Sequence, residues 1–242
     1  MRVINMKIIE SKDNKTYKNF LNIKKGKSEE NEILIEGEDL VDEAIKANKL
    51  KYLIINDKNN VKNVDVETYL LKDSLYRELS SYKSLPKMIG IASYTMCKAS
   101  ELGERVIYLD NVQDPGNVGT IIRSALSFNY TGVMLSFDTA SLYNSKVVQA
   151  TKGALFHINI AQGELSELNS LNYHIYLTTL DGVDERSFTT LPEPFAIVMG
   201  NEGQGVSKKN LNYGTKMKIE MSGIDSLNVA IAASIFMYRF KK

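Results

Sequence analysis

The stretch FAIVMGNEGQGVS, Phe195–Ser207, runs from five apolar residues straight into a turn with three glycines and one carboxylate, Glu202. A short unbroken apolar run bounded by turn residues reads as a strand buried on both faces, as in parallel sheets covered by helices. Glycines at the end of such a strand let the backbone come close to something and offer it N–H and C=O groups. The order G-x-x-G-x-G is not the dinucleotide fingerprint, and no Gly-Lys-Ser/Thr follows to make a phosphate loop. The plain alternative is a glycine-rich connection.

Working outward, the same half alternates strands and helices. RVIYLD (Arg105–Asp110), GVMLSF (Gly132–Phe137), FHINI, HIYLTTL, FAIVMG and KMKIEM read as strands. Val118–Phe128 and Asn144–Ala150 read as helices, and Leu227–Phe240 as a final amphipathic helix with Leu227, Ile231, Ser234 and Ile235 at helical spacing. That alternation predicts an α/β fold with a mostly parallel sheet. Upstream, EILIEG, KYLIIN and MIGIAS read as strands and EDLVDEAIKAN as a helix, which predicts a small α/β unit. The expected division is 1–95, a linker at 96–104, and 105–242.

Composition narrows the class. The chain has 242 residues, 43% hydrophobic, enough to bury a core. Net charge is +1, but residues 1–100 carry +3 and the remainder −2. Six lysines fall in Lys12–Lys27, with Tyr17 and Phe20 interleaved. Such a segment is either part of a phosphate-binding surface or a solvated lysine-rich helix. One cysteine, Cys97, excludes an internal disulfide, and two histidines make a zinc site improbable, so no metal is expected. The N-terminus lacks a signal-peptide core, and Val229–Tyr238 is too short to span a bilayer, so the expectation is a cytoplasmic protein with no membrane partner.

Three stretches sit at strand-to-helix transitions, where open α/β sheets bind ligands. In LDNVQDPGNVGTIIRSA (Leu109–Ala125), Asn117 stands where a helix cap is expected, Val118, Ile121, Ile122 and Ala125 form a buried stripe, and Arg123 lies off it. The glycine stretch is the second. The third, KIEMSGIDSLNVAIAASIFMYRF (Lys218–Phe240), places Ser226 as a cap with Asn228 beside it. No G-x-S-x-G elbow or H-E-x-x-H is present to support a hydrolase.

Together the three resemble the signature motifs of the SpoU/TrmH family of S-adenosylmethionine-dependent RNA 2′-O-ribose methyltransferases, in the SPOUT superfamily. NVQDPGNVGTIIRSA is similar to motif one, IVMGNEGQGVS to motif two, and IEMSGIDSLNVAIAA to motif three; ATKGALFHI (Ala150–Ile158) resembles the segment between the first two. The likeness covers about residues 105–240. EILIEGEDLVDEAI more weakly resembles the family's RNA substrate-binding domain, typical of members acting on large ribosomal RNA. Motif three usually reads Ile-Pro-Met, whereas this chain has Ile219-Glu220-Met221.

The resemblance implies a trefoil knot, a homodimer, S-adenosylmethionine as cofactor and RNA as partner. It implies catalytic or orienting roles for Arg123, Asn117, Glu202, Ser226 and Asn228, with Glu202 bracing Asn117 or Arg123. Cofactor contacts would come from Thr178, Thr179, Leu180, Gly200, Asn201, Gly205, Ile219, Met221 and Leu227. A transfer-RNA substrate, a non-catalytic RNA-binding protein on the same scaffold, and a generic nucleotide binder are the alternatives.

Overall fold

The computed structural model describes residues 6–28, 30–223 and 226–242. Two compact units emerge: Met1–Thr95 with Leu142–Phe156, and Met96–Ser141 with His157–Lys242.

The first unit contains β1 (Met6–Ile9), α1 (Lys15–Lys24), β2 (Glu32–Glu36), α2 (Glu38–Lys46), β3 (Leu50–Ile55), β4 (Glu67–Leu71), α3 (Asp73–Leu79) and β5 (Ile89–Ser93). Its sheet runs β1-β4-β3-β5-β2; β1, β4 and β3 are parallel, while β5 is antiparallel to β3 and β2. All five residues of β2 are buried, because α1, α2 and the helix Ser145–Thr151 pack against it. Two of those five are carboxylates, and each has partners. Glu36 accepts from Ser80 Oγ at 2.7 Å and from the Ser81 amide at 3.0 Å, and Glu32 meets Lys51 at 2.6 Å. A buried carboxylate survives in a core only on such terms.

The lysine-rich segment turns out to be α1. Tyr17 and Phe20 have no exposed surface, and the Phe20 ring sits edge-on to Tyr69 at 5.3 Å. Of the two readings of this segment the lysine-rich helix holds, and Tyr17 and Phe20 are not part of an RNA surface: with Ile23 they are the buried stripe of an amphipathic helix. Several lysines are engaged too, Lys12 with Glu78 at 2.9 Å and Lys18 with Asp13 at 3.1 Å.

The second unit contains β6 (Arg105–Leu109), α4 (Pro115–Ser127) and β7 (Gly132–Leu135). After α5 (Ser145–Thr151), which belongs to the first unit, come β8 (Asn159–Gln162), α6 (Leu165–Ser170), β9 (His174–Asp184), β10 (Phe195–Met199), β11 (Thr215–Lys218) and α7 (Val229–Arg239). Every neighbouring pair in the order β11-β9-β10-β6-β7-β8 is parallel. β6, β7 and β10 are buried along their whole length, as a helix-covered parallel sheet requires. Parallel strands end on one side, so the turns after β6, β7, β10 and β11 share one edge of the sheet.

Three local expectations change. Asp114, not Asn117, caps α4: its carboxylate accepts from the Asn117 amide at 2.8 Å, and Pro115 starts the helix, where a missing N–H costs nothing. Asn228, not Ser226, caps α7, accepting from the amides of Ala230 and Ile231. Of the residues read at helical spacing for α7, Leu227 and Ser234 are half-buried, but Ile231 and Ile235 face outward. Ile231 is 54% and Ile235 37% exposed, whereas Val229, Ala230, Ala233, Phe236 and Met237 are buried. The helix is apolar on both sides, so periodicity alone selects neither face. Among the described residues no helix is long and apolar enough to cross a membrane.

Candidate functional site

The glycine stretch after β10 folds back on itself. Asn201 and Gly205 exchange two backbone hydrogen bonds of 2.9 Å, and Gly205 adopts φ +69°, a conformation glycine takes without strain. The Asn201 side chain fills the small hairpin. Its Oδ1 accepts from the Gly203 and Gln204 amides, and its Nδ2 donates to the Asn111 carbonyl at 2.9 Å. At Gly200 a Cβ would lie 2.2 Å from the Gly205 carbonyl carbon and 2.3 Å from the Val206 nitrogen. What comes close to Gly200 is therefore the chain's own return path. Just beyond, the Ser207 amide donates at 2.8 Å to Asp110, a buried carboxylate at the end of β6.

Glu202 projects from this hairpin to the start of α4. Its Oε1 accepts from Asn117 Nδ2 at 3.0 Å, and the Gln113 and Asp114 amides approach its two oxygens at 3.4 Å. Burial pushes the Glu202 carboxyl up, but the Asn117 amide and these backbone donors outweigh it and hold the group below the usual carboxylate range. It is thus ionised at neutral pH, next to the positive end of α4.

An ionised carboxylate only accepts, so Asn117 must turn its NH2 toward Glu202 and its Oδ1 outward. That oxygen accepts from Asn228 Nδ2 at 3.0 Å, which in turn leaves Asn228 Oδ1 to cap α7. Glu202, Asn117 and Asn228 form a relay with one direction. It ties together the turn after β10, the first turn of α4 and the first turn of α7.

Behind the relay lies a cleft of 630 Å³. All nine residues expected around a cofactor line it: Thr178, Thr179 and Leu180 from β9, Gly200, Asn201 and Gly205 from the hairpin, and Ile219, Met221 and Leu227 from the third stretch. Glu202 and Ser226 line it as well. Asn117 and Asn228 instead border a second hollow beside Ile231, Ile235 and Tyr238. Arg123 borders neither. It is exposed on α4, and among the described residues no hydrogen bond or ion pair engages its guanidinium.

The departure in motif three is resolved by geometry. Ile219 and Met221 face the cleft, whereas Glu220 pairs with Lys218 at 3.0 Å and is not among the lining residues. Sequence reasoning missed Lys216 and Asp181, which line the cleft and pair at 2.7 Å, and Phe236, which closes it from α7. No spacing signal marks the lysine and aspartate, since they meet only through the pairing of β11 with β9.

Comparison with known proteins gives a consistent picture. The profile of the SpoU rRNA Methylase family matches residues 104–238. The chain is 32% identical, over 98% of its length and 100% of the relative's, to the 23S rRNA (guanosine(2553)-2′-O)-methyltransferase RlmP of Bacillus subtilis. An AdoMet-bound rRNA methyltransferase from Sinorhizobium meliloti is similar in structure, with a TM-score of 0.85, 26% identity and 97% of each chain covered. The AviRb methyltransferase from Streptomyces viridochromogenes, 20% identical, shares the fold with a TM-score of 0.85 over 93% of this chain and 96% of its own.

Proposed function

The chain belongs to the SpoU rRNA methylase family, and from that premise we propose that it methylates a ribose 2′-hydroxyl in large-subunit ribosomal RNA, using S-adenosylmethionine. The relay Glu202–Asn117–Asn228 carries this reading, because it ties the hairpin that lines the cleft to the first turns of α4 and α7.

The cleft suits the cofactor. Its volume lies in the range of small-molecule sites, roughly 300–1,000 Å³. Leu180, Ile219, Met221 and Leu227 offer an apolar wall for an adenine ring. The ionised Glu202 offers negative charge to a cation. When bound, S-adenosylmethionine supplies a methyl group on a positively charged sulfur. The chain does the rest. The hairpin and relay hold the cleft open in one geometry, and Ser226 fixes the turn before α7. Arg123 clamps an RNA phosphate and stabilises negative charge developing on the ribose oxygen. A guanidinium stays protonated, so Arg123 is not the base.

The same reading assigns residues 1–95 to RNA binding and 105–242 to methyl transfer, includes the trefoil knot, and sets the work in the cytoplasm. It makes the protein a homodimer. The exposed apolar face of α7, with Ile231, Ile235 and Tyr238 (59% exposed), is the surface that a second copy covers. Arg123 then serves the partner's cleft.

The test is transfer of tritium from labelled S-adenosylmethionine to an unmodified 23S rRNA transcript and to transfer RNA. Labelling of the 23S transcript at a 2′-oxygen, abolished in Arg123→Ala with cofactor binding intact, is expected. Labelling of transfer RNA alone, or full turnover by Arg123→Ala, would overturn the substrate or the role.

A further inference from the structure

The turn after β7 carries an unexplained aromatic. Phe137 is 62% exposed and makes no ring contact among the described residues. An exposed phenyl ring at a turn tip is normally left to a flexible loop, but this loop is firmly held. Ser136 and Thr139 are buried, and their hydroxyls meet at 3.0 Å. Thr139 Oγ1 also donates to the Leu109 carbonyl at 2.9 Å, and the Thr139 amide closes a four-residue turn onto the Ser136 carbonyl at 3.1 Å. The Ala140 amide donates to the Val112 carbonyl at 2.9 Å. The turn is thus a rigid pedestal with the ring at its tip.

Its place relative to the relay follows from Gln113. The Gln113 amide approaches Glu202 at 3.4 Å, while its side chain donates to the Asp138 carbonyl, one residue from Phe137. One glutamine therefore spans from the rim of the cleft to the tip of the pedestal. Charges of both signs lie nearby, since Asp138 is within electrostatic reach of Lys209, which pairs with Glu164 at 2.6 Å, and the phenyl ring itself carries no charge to hold a phosphate. A neutral, exposed π-face suits the face of a base.

We propose that Phe137 is a stacking platform for an unpaired base of the RNA strand that carries the target ribose, and so a specificity-determining residue of the methyl-transfer site. The inference rests on the reading of the protein as an RNA ribose methyltransferase. RNA-binding proteins commonly grip single-stranded segments by stacking bases on aromatic side chains, and a preset ring loses little freedom on binding.

The chain contains no tryptophan, so Phe137→Trp introduces a unique reporter. Titration with the unmodified 23S transcript is expected to quench its fluorescence saturably. Phe137→Ala is expected to raise KM for RNA about tenfold, with kcat and S-adenosylhomocysteine affinity unchanged. If wild type methylates the transcript, an unquenched Phe137→Trp together with an unaltered KM in Phe137→Ala overturns the platform and leaves the methyltransferase reading standing. Saturable quenching without methylation by wild type removes the methyltransferase reading and, with it, overturns the ring's role in the specificity of methyl transfer, leaving only an RNA contact. A signal that follows protein concentration rather than RNA, with a changed oligomeric state in Phe137→Ala, assigns the ring to a protein contact and overturns the proposal.

Discussion

In the first unit, Glu36 is closed in by Ser80 and Ser81 within the core. In the second, Glu202 stays at the lip of a cleft and passes a hydrogen-bond direction through Asn117 to Asn228. Both carboxylates are satisfied, but one is satisfied for the fold and the other for a site. A polar group whose partners come from a single compact core stabilises that core. A group that binds another turn, and through Asn117 a third, positions those turns. The difference makes separable claims about stability and ligand affinity.

The strongest blow to the second region is Gly200→Ala. Its methyl would meet the Gly205–Val206 backbone at under 3 Å, so the hairpin must open, and a loss of about 3 kcal/mol in urea unfolding is expected, together with loss of cofactor binding. Asn117→Ala removes the middle of the relay. Cofactor affinity should fall by about 2 kcal/mol, some thirtyfold by calorimetry, as one donor to a carboxylate and one acceptor for Asn228 vanish. Glu36→Ala gives the contrast: about 1.5 kcal/mol less stability from the unpaired Ser80 hydroxyl and Ser81 amide, with cofactor affinity unmoved. An affinity loss there as large as that of Asn117→Ala would break the distinction between the two carboxylates.

Acid sharpens the comparison further. The Glu202 carboxyl is held below its ordinary value, so the folded state favours the ionised form. That stabilisation is complete above the unfolded pKa and disappears as pH falls through the folded one. Melting curves from pH 7 to pH 3 should therefore show a shallower decline in Glu202→Gln than in wild type; parallel declines would remove Glu202 from the acid response. The smallest effect belongs to Glu220→Ala, which should leave S-adenosylhomocysteine affinity within about twofold, since Glu220 points to Lys218 and lies outside the lining.

The sequence made the second sheet legible because its strands are unbroken apolar runs, and made the cleft legible because its walls are the ends of those strands. The first unit was harder. β1 and β4 are short, and both lie beside lysines and glutamates that hide their pattern. The basic run Lys12–Lys27 left open whether Tyr17 and Phe20 serve a phosphate-binding surface, and tertiary packing put both inside. Capping slipped by two or three residues, from Asn117 to Asp114 and from Ser226 to Asn228, because adjacent polar residues compete for one role and only the local backbone decides. On α7 the spacing picked out Ile231 and Ile235, which are exposed, because both faces are apolar and Val229, Ala230, Ala233, Phe236 and Met237 take the buried side. The reason for Gly200 lay in a contact with Gly205, five residues on, which no pattern along the chain announces. Phe137 carried no signal at all, since an aromatic at the end of an apolar run looks like one more core residue.

The measurement that bears most directly on the cleft is calorimetric titration of S-adenosylhomocysteine into wild type, Arg123→Ala and Leu227→Glu. The expected result is one site per chain in wild type, the same affinity in Arg123→Ala, and no detectable heat when a carboxylate replaces the apolar wall at Leu227. Undiminished binding by Leu227→Glu, or no binding by wild type, would contradict the assignment of this cleft.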